Sequence, residues 1–296
     1  MAQPTVLKIV YLKENQGHGY ARRRSLAECK NELVALMDAD DVSLPDRFEK
    51  QLSEFALNSL LDVCGGQITE FVGSEDNIIC KREVKLTDEE IKRDLQKRCP
   101  MNQVTVMFKK KAYDSAGGYI DWFCEEDYYL WARMAKNNSI FANVKDSIVN
   151  VRVGLEMSSR RGGWNYFKSE KRMQKYLYKN GIISLPRYLH NVAIRFFGEV
   201  LTPNFLRNQL FKLVRKKPSR EVLGKLEHKQ NKRYSPFSVA MCVYGGDNPL
   251  WFDRALESVI IKQTVRPSEV VIVVDGPISN PLQEVIDKYA DICSGI

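Results

Sequence analysis

The sequence predicts an α/β protein built on a doubly wound, mostly parallel sheet with a basic helical segment appended. Two observations carry that expectation. Leu33–Met37 and Val239–Tyr244 are unbroken apolar runs, and Glu269–Val274 is nearly one, the pattern of strands covered on both faces. Between such runs lie segments with helical spacing or helix-start signals, and parallel strands need crossovers of that kind.

Taken in order, Val6–Tyr11 reads as a short strand, followed by the loop Asn15–Gly19 and a helix around Ala21–Lys30. Leu33–Met37 is a buried strand that ends in Asp38-Ala39-Asp40-Asp41. Pro45 occupies a helix-start position, and Phe48, Leu52 and Phe55 follow at helical spacing. Asp62–Phe71 is a further strand, and Thr87-Asp88-Glu89-Glu90 is a capping box opening a helix to about Arg98. Gln103–Lys109 reads as a strand, Ala116–Tyr119 as a turn, Glu126–Trp131 as helical and Ile140–Val144 as a strand. Basic helices with interleaved Trp, Tyr and Phe come next, then a polar, charged stretch over 215–233 that reads as a linker. Val239–Tyr244 is a strand, Leu250–Gln263 a helix, Glu269–Val274 a strand running into Asp275-Gly276-Pro277, and Pro281–Ala290 a closing helix.

This order is unusual. The last βαβα series ends on a helix, while the chain starts on a strand with no helix before it. Placing 235–296 ahead of residue 6 gives one regular alternation that leads into Asp38-Ala39-Asp40, as if a doubly wound fold were cut open at one helix–strand junction.

Composition excludes several classes. The 296 residues are 44% hydrophobic and 28% charged, ordinary globular proportions that fit one or two domains and not a disordered or collagen-like chain. No apolar run approaches the roughly 18–20 residues of a membrane-spanning helix, and Met1–Pro4 lacks a signal-peptide pattern, so a cytoplasmic location is expected. Seven cysteines without a C-x-x-C pair argue against a disulfide framework or zinc site. Three histidines are too few for chemistry built on several imidazoles. The net charge of +8 is uneven: residues 158–233 hold 19 basic and 4 acidic residues, a local +15 that leaves −7 elsewhere. That asymmetry points to an anionic partner, nucleic acid or an anionic membrane surface on charge alone, but no nucleic-acid-binding motif accompanies it.

Asp38-Ala39-Asp40 is the sharpest local feature. Ligands of open α/β sheets gather beyond the carboxyl ends of strands, and carboxylates there suit a hard divalent cation that also holds substrate phosphates. A solvated turn or a cap for the helix near Pro45 is the plainer alternative. Asp275 ends a strand in the same way, as a turn residue or as an acceptor for a base or ribose. Gly17 and Gly19 either admit a ligand to the backbone or simply shape a loop. Glu126 and Asp127 open a helix, where the dipole favours acids, and they also suit general-base duty.

Together these pieces resemble a known family. Val239-Ala240-Met241-Cys242-Val243-Tyr244, Val273-Val274-Asp275-Gly276, the Asn15-x-Gly17 loop with Ala21-Arg22, Met37-Asp38-Ala39-Asp40-Asp41, Pro45-Asp46-Arg47-Phe48, Ala116-Gly117-Gly118-Tyr119 and Glu126-Asp127-Tyr128-Tyr129-Leu130-Trp131 are similar to family 2 glycosyltransferases of the GT-A fold. The narrower likeness is to bacterial enzymes of capsule, exopolysaccharide and O-antigen synthesis, and it extends over almost the whole chain. In the family the segment matching 235–296 comes first, so the resemblance implies a circular permutant; a fragment bridging two tandem domains is the rival reading. It divides the chain into a catalytic domain of 235–296 plus 6–156, a basic amphipathic helical segment 157–213 and a linker 214–234.

The resemblance implies inverting, metal-dependent transfer of one sugar from a nucleotide sugar, with UDP as the expected nucleotide, to a glycan or polyprenyl-diphosphate-linked acceptor. No Q-x-x-R-W motif of processive synthases is present. Tyr244 and Asp275 would contact the base, with Arg22 a weaker candidate. Asp38 would reach the ribose side, and Asp40 would hold a divalent metal, manganese or magnesium. Asp127 would be the base that deprotonates the acceptor hydroxyl, and Glu126 would orient the acceptor. Arg160 and Arg161 would clamp a diphosphate or else serve as surface charge. The basic, aromatic-laced helices then fit the inner face of the cytoplasmic membrane as a peripheral surface. Two alternatives remain: a nucleotidyltransferase, although Val243–Asp247 lacks the basic residue its loop would want, and a non-enzymatic basic membrane-associated protein.

Overall fold

In a computed structural model, the structure describes residues 5–154, 162–202 and 234–295. Among the described residues, nine strands form one sheet: β1 (Val6–Tyr11), β2 (Leu33–Leu36), β3 (Val42–Ser43), β4 (Val63–Phe71), β5 (Ile78–Arg82), β6 (Met107–Lys109), β7 (Phe141–Arg152), β8 (Phe237–Tyr244) and β9 (Glu269–Asp275). Their spatial order is β1-β9-β8-β2-β6-β4-β7-β3, with β5 on the far half of β4. β1, β9, β8 and β2 run parallel, β6 is antiparallel to both its neighbours, and β4 and β7 are again parallel to each other. The doubly wound, mostly parallel sheet expected from the sequence is present.

The period of two along the buried strands explains why they read as unbroken apolar runs. Val239, Met241 and Val243 of β8 face one core with Val270, Ile272 and Val274 of β9, while Ala240 and Val271 face the other. The first core is closed by α2 (Arg47–Leu57), α8 (Pro249–Leu256) and α9 (Asn280–Ser294) through Phe48, Phe252 and Ile286. The second is closed by α1 (His18–Glu28), α3 (Asp88–Leu95), α5 (Glu126–Lys136) and α6 (Trp164–Lys179), with Trp131 fully buried at its centre. α7 (Leu185–Arg195) packs on α6 and continues into a π-turn at Phe196–Leu201.

Several elements differ from the sequence expectation. Gln103–Lys109 is not one strand: Gln103–Thr105 is a 3₁₀ turn, and only Met107–Lys109 pairs. The turn is held by Thr105, whose hydroxyl donates to the Asn102 carbonyl at 2.6 Å. A short helix, α4 (Lys110–Ser115), precedes the Gly117-Gly118 turn, and both glycines take positive φ. β7 extends eight residues beyond Val144, because its outer half pairs with β4 after register shifts near Gly66–Ile68. The helix after β8 ends at Leu256 and passes into a π-turn at Glu257–Ile261. The capping box at Thr87 forms as expected, with both of its reciprocal bonds present. No described helix is long and apolar enough to cross a membrane.

Candidate active site

The winding of the sheet sets the position of the site. β8 leads through α8 to β9 on one side, whereas α1 carries the chain from β1 back across β9 and β8 to β2 on the other. The direction of winding therefore reverses between β8 and β2. In open α/β sheets the crevice beyond the carboxyl ends at such a point is where ligands sit.

Three loops from strand ends are locked together on one flank of that crevice. Tyr244 and Asp275 are register partners at the ends of β8 and β9. Asp275 is buried, and its Oδ1 accepts the Gln16 backbone N–H at 2.7 Å, tying the β9 end to the loop after β1. Gly276 has φ +83°, and a Cβ there would sit 2.6 Å from the Asn15 nitrogen, so only glycine lets these loops approach so closely. Tyr244 is about half exposed and open to a stacking partner. Beyond it, Asn248 caps α8 by accepting the Leu250 N–H at 2.9 Å, while Asp247 accepts the Tyr244 N–H at 2.9 Å and turns its carboxyl into the crevice.

The other flank is acidic. β2 closes with Asp38-Ala39-Asp40-Asp41, and its last carbonyl, at Leu36, accepts Nη2 of fully buried Arg47 at 2.7 Å. Arg47 also donates to Gln51 at 3.2 Å, and Gln51 in turn ties down the Cys64 and Thr105 carbonyls at 2.7 and 2.8 Å. Asp41 is buried and accepts the Arg152 backbone N–H at 2.8 Å, while Arg152 Nε donates to the Asp40 carbonyl at 3.2 Å. Burial first, then Asp40 and Asp38, pushes the Asp41 carboxyl well above the ordinary range. The Asp40 carboxyl is raised by burial and by Asp38. That of Asp247 is raised to about 6, by burial and then by Asp40 and Asp38 against its backbone bond.

Carboxylates that oppose one another's ionisation, offset in part by Arg22 on Asp38 and by Arg152, form an oxygen-rich spot that suits a hard divalent cation. No three acidic, His or Cys side chains among the described residues close into a metal cage. The donor set instead fits magnesium-like binding, with one or two carboxylates on the protein and the remaining positions left for substrate phosphate and water.

Arg22 joins the acidic flank to α5. It projects from α1 and gives Nη2 to Asp38 Oδ1 at 3.0 Å, with Nη1 4.0 Å from Glu126 Oε1. Burial works against its charge, but Asp38, Tyr119 and Glu126 outweigh that and raise its pKa above the ordinary value. With its amide turned to satisfy both neighbours, Gln103 accepts from Arg22 Nη1 and donates to Asp127 Oδ2 at 3.3 Å. Asp127 also receives its Tyr128 backbone N–H at 2.6 Å and faces the Cys99 thiol at 3.5 Å. Glu126 lies 3.0 Å from His18 Nε2, and its pKa is raised by burial and then by Asp127.

The structure thus brings Arg22, Asp38, Asp40, Glu126 and Asp127 around one crevice, with Tyr244 and Asp275 at its other end. Arg160 and Arg161 lie outside the described residues. Four contributors were given no site role from the sequence. Asp247 stands in a loop with no recognisable pattern, and Gln103 fell in a segment read as strand. Arg47 reads as an ordinary helix-start charge until its burial is seen. Glu125, 4% exposed beside Glu170, is hidden by its more conspicuous neighbours Glu126 and Asp127.

Comparison with known proteins adds to this geometry. The sequence model of glycosyl transferase family 2 matches residues 1–116. An uncharacterised glycosyltransferase of Haemophilus influenzae is 40% identical over 205 residues, covering 69% of this chain and 76% of the other. The amylovoran biosynthesis glycosyltransferase AmsE of Erwinia amylovora is 36% identical over 57% of this chain and 63% of its own. An Escherichia coli UDP-Gal:alpha-D-GlcNAc-diphosphoundecaprenol beta-1,3-galactosyltransferase is 29% identical over 70% of this chain and 75% of its own.

Proposed function

The chain belongs to glycosyl transferase family 2, and from that premise we propose that it is an inverting, metal-dependent enzyme of bacterial surface polysaccharide synthesis. It moves one sugar from a nucleotide sugar, with UDP the expected nucleotide, to a glycan or polyprenyl-diphosphate-linked acceptor. The observation that carries this reading is the bridge Asp38–Arg22–Gln103–Asp127, which holds a donor-side carboxylate and a candidate base in one network across the crevice.

Tyr244 and Asp275 hold the base of the donor, and Asp38, steadied by Arg22, faces the ribose. Asp40 would hold the divalent cation, which would offset the negative charge that develops on the leaving nucleoside diphosphate. Asp127 accepts the proton of the acceptor hydroxyl as that oxygen attacks the anomeric carbon. Its carboxylate is oriented by the Tyr128 N–H on Oδ1 and by the Gln103 amide on Oδ2, and each oxygen keeps a further lone pair with which to accept the acceptor's proton. Attack opposite the leaving group inverts the anomeric centre. The network of Glu126 with His18 and Arg22 supports a role at the donor–acceptor boundary, where it orients the acceptor.

We read residues 235–296 and 6–156 as one catalytic domain in circularly permuted order, because β8 and β9 pair between β1 and β2. The enzyme acts at the inner face of the cytoplasmic membrane. That reading rests on the +15 segment and on the outer face of α7 and its π-turn, where Leu185, Leu189, Ile194, Phe197 and Leu201 are exposed.

Calorimetric titration with UDP, with and without manganese, tests the core of the proposal on wild type and Asp40→Asn. The expected result is metal-dependent binding that the substitution abolishes. Metal-independent binding, or equal binding by the variant, would overturn Asp40 as the metal residue. Failure of a folded wild type to bind UDP, GDP or TDP would overturn the nucleotide site itself.

A further inference from the structure

A groove of about 360 Å³ opens at residues that lead into the helix start carrying the candidate base, and it shares no residue with the donor cluster. It is lined by Trp122, Phe123, Asn165, Lys168, Ser169 and Arg172. Its wall is rigid: Trp122 Nε1 donates to Ser169 Oγ at 2.9 Å, and that hydroxyl donates to the Phe123 carbonyl at 2.5 Å. The Trp122 ring packs on Tyr129 of α5 with centroids 4.5 Å apart. From Phe123 the chain turns through Cys124, which takes φ +59°, and enters the helix start that carries Asp127. A left-handed conformation at a non-glycine residue is uncommon, and here it redirects the backbone between groove and base.

The floor is cationic. Arg172 stacks over Trp122 at 4.1 Å, and Lys168 lies 5.8 Å from the Trp164 ring. Neither forms an ion pair among the described residues, while the nearby acid Glu170 is taken by Arg195 at 2.5 Å. Lys168 and Arg172 stand one helical turn apart on the same face, so their long side chains can converge on one anionic group. From the rim, a file of rings runs Trp164, Phe167, Phe196 and Phe197, at centroid steps of 5.4, 5.5 and 5.9 Å, to the exposed apolar face of α7.

We propose that this groove is the subsite for the diphosphate of a lipid-diphosphate-linked acceptor, with Lys168 and Arg172 as the cation pair and Trp122–Phe123 as the wall against the acceptor's first sugar. The inference rests on the transferase reading above and adds to it the position of the acceptor. The lipid leaves over the exposed rings of Trp164 and Phe197 toward the apolar face, and the sugar points toward Asp127.

The test is calorimetric titration of the full chain with farnesyl diphosphate, farnesyl monophosphate and inorganic diphosphate. Each is run on wild type and on the doubly substituted Lys168→Gln/Arg172→Gln, both positions being exposed so that folding is retained. Wild type should bind farnesyl diphosphate more tightly than the other two probes, and saturating UDP with manganese should not displace it. The double variant should lose at least about tenfold in that affinity, with UDP binding unchanged. Equal affinity in wild type and variant, displacement by UDP, or no binding of farnesyl diphosphate would overturn the proposal. Inorganic diphosphate binding as tightly as the farnesyl compound would overturn its lipid-linked part. Loss of UDP binding in wild type, with farnesyl diphosphate still held, would instead count against the donor site.

Discussion

Glu125 offers a sharp test of the electrostatics behind Asp127, the proposed base. It stands at the N-terminal boundary of α5, is 4% exposed, and faces Glu170, which pairs with Arg195. Burial first, then the charges of Glu170 and Asp127, pushes its carboxyl up to about 10. In the unfolded chain the same group titrates at an ordinary glutamate value, about 4.5. Between those limits the native state holds a proton that the unfolded state has released. The contribution to stability is complete below the unfolded value and is lost as pH rises toward the folded one. Each pH unit in that window costs about 1.4 kcal/mol for one proton, so raising pH from 7 to 9 should remove up to about 2.7 kcal/mol. Glu125→Gln keeps the shape and a donor toward Glu170 but cannot ionise. Urea unfolding at pH 7 and pH 9 should show wild type losing about 2 kcal/mol more than the variant, with the variant at least as stable at pH 7. Parallel losses in the two proteins would refute a protonated Glu125.

Other perturbations follow from the same geometry. Arg47→Leu removes the buried donor that holds the Leu36 carbonyl and should cost about 3 kcal/mol in chemical denaturation, with weakened UDP binding because the acids after β2 lose their anchor. Gly276→Ala sets a Cβ against the Asn15 nitrogen at positive φ and should cost about 2 kcal/mol. Its UDP affinity should fall, and a variant with wild-type melting temperature and affinity would contradict the loop packing. Leu189→Glu with Phe197→Glu should lower association with vesicles rich in phosphatidylglycerol, measured by co-sedimentation, while leaving UDP titration unchanged.

Some of this was legible in the sequence because the signals were local. The unbroken run Leu33–Met37 announces a strand covered on both faces, and Thr87 with Glu90 announces a helix start through bonds that involve only those residues. The acids at 38 and 40 are conspicuous because they directly follow that strand. What escaped depends on contacts between distant positions. Arg47 reaches back to Leu36, Asp247 meets Asp38 and Asp40 from the other end of the chain, and Gln103 finds Arg22 and Asp127 only once the 3₁₀ turn is made. β5 and α4 are short, and tertiary pairing rather than strong pattern forms them.

The placement of β8 and β9 also bears on how the molecule comes into being. β1 and β2 do not touch; two strands from beyond residue 236 lie between them. Until those residues are made, β1 has no partner and β2 is paired only with β6, so a growing chain carries two open strand edges across a gap two strands wide. Closing it means threading an apolar pair of strands into the middle of the sheet, a pairing of high contact order and a slow one. During that interval the exposed edges of one chain are matched to the same two strands of another, so slow folding and exchange between copies are two outcomes of a single gap.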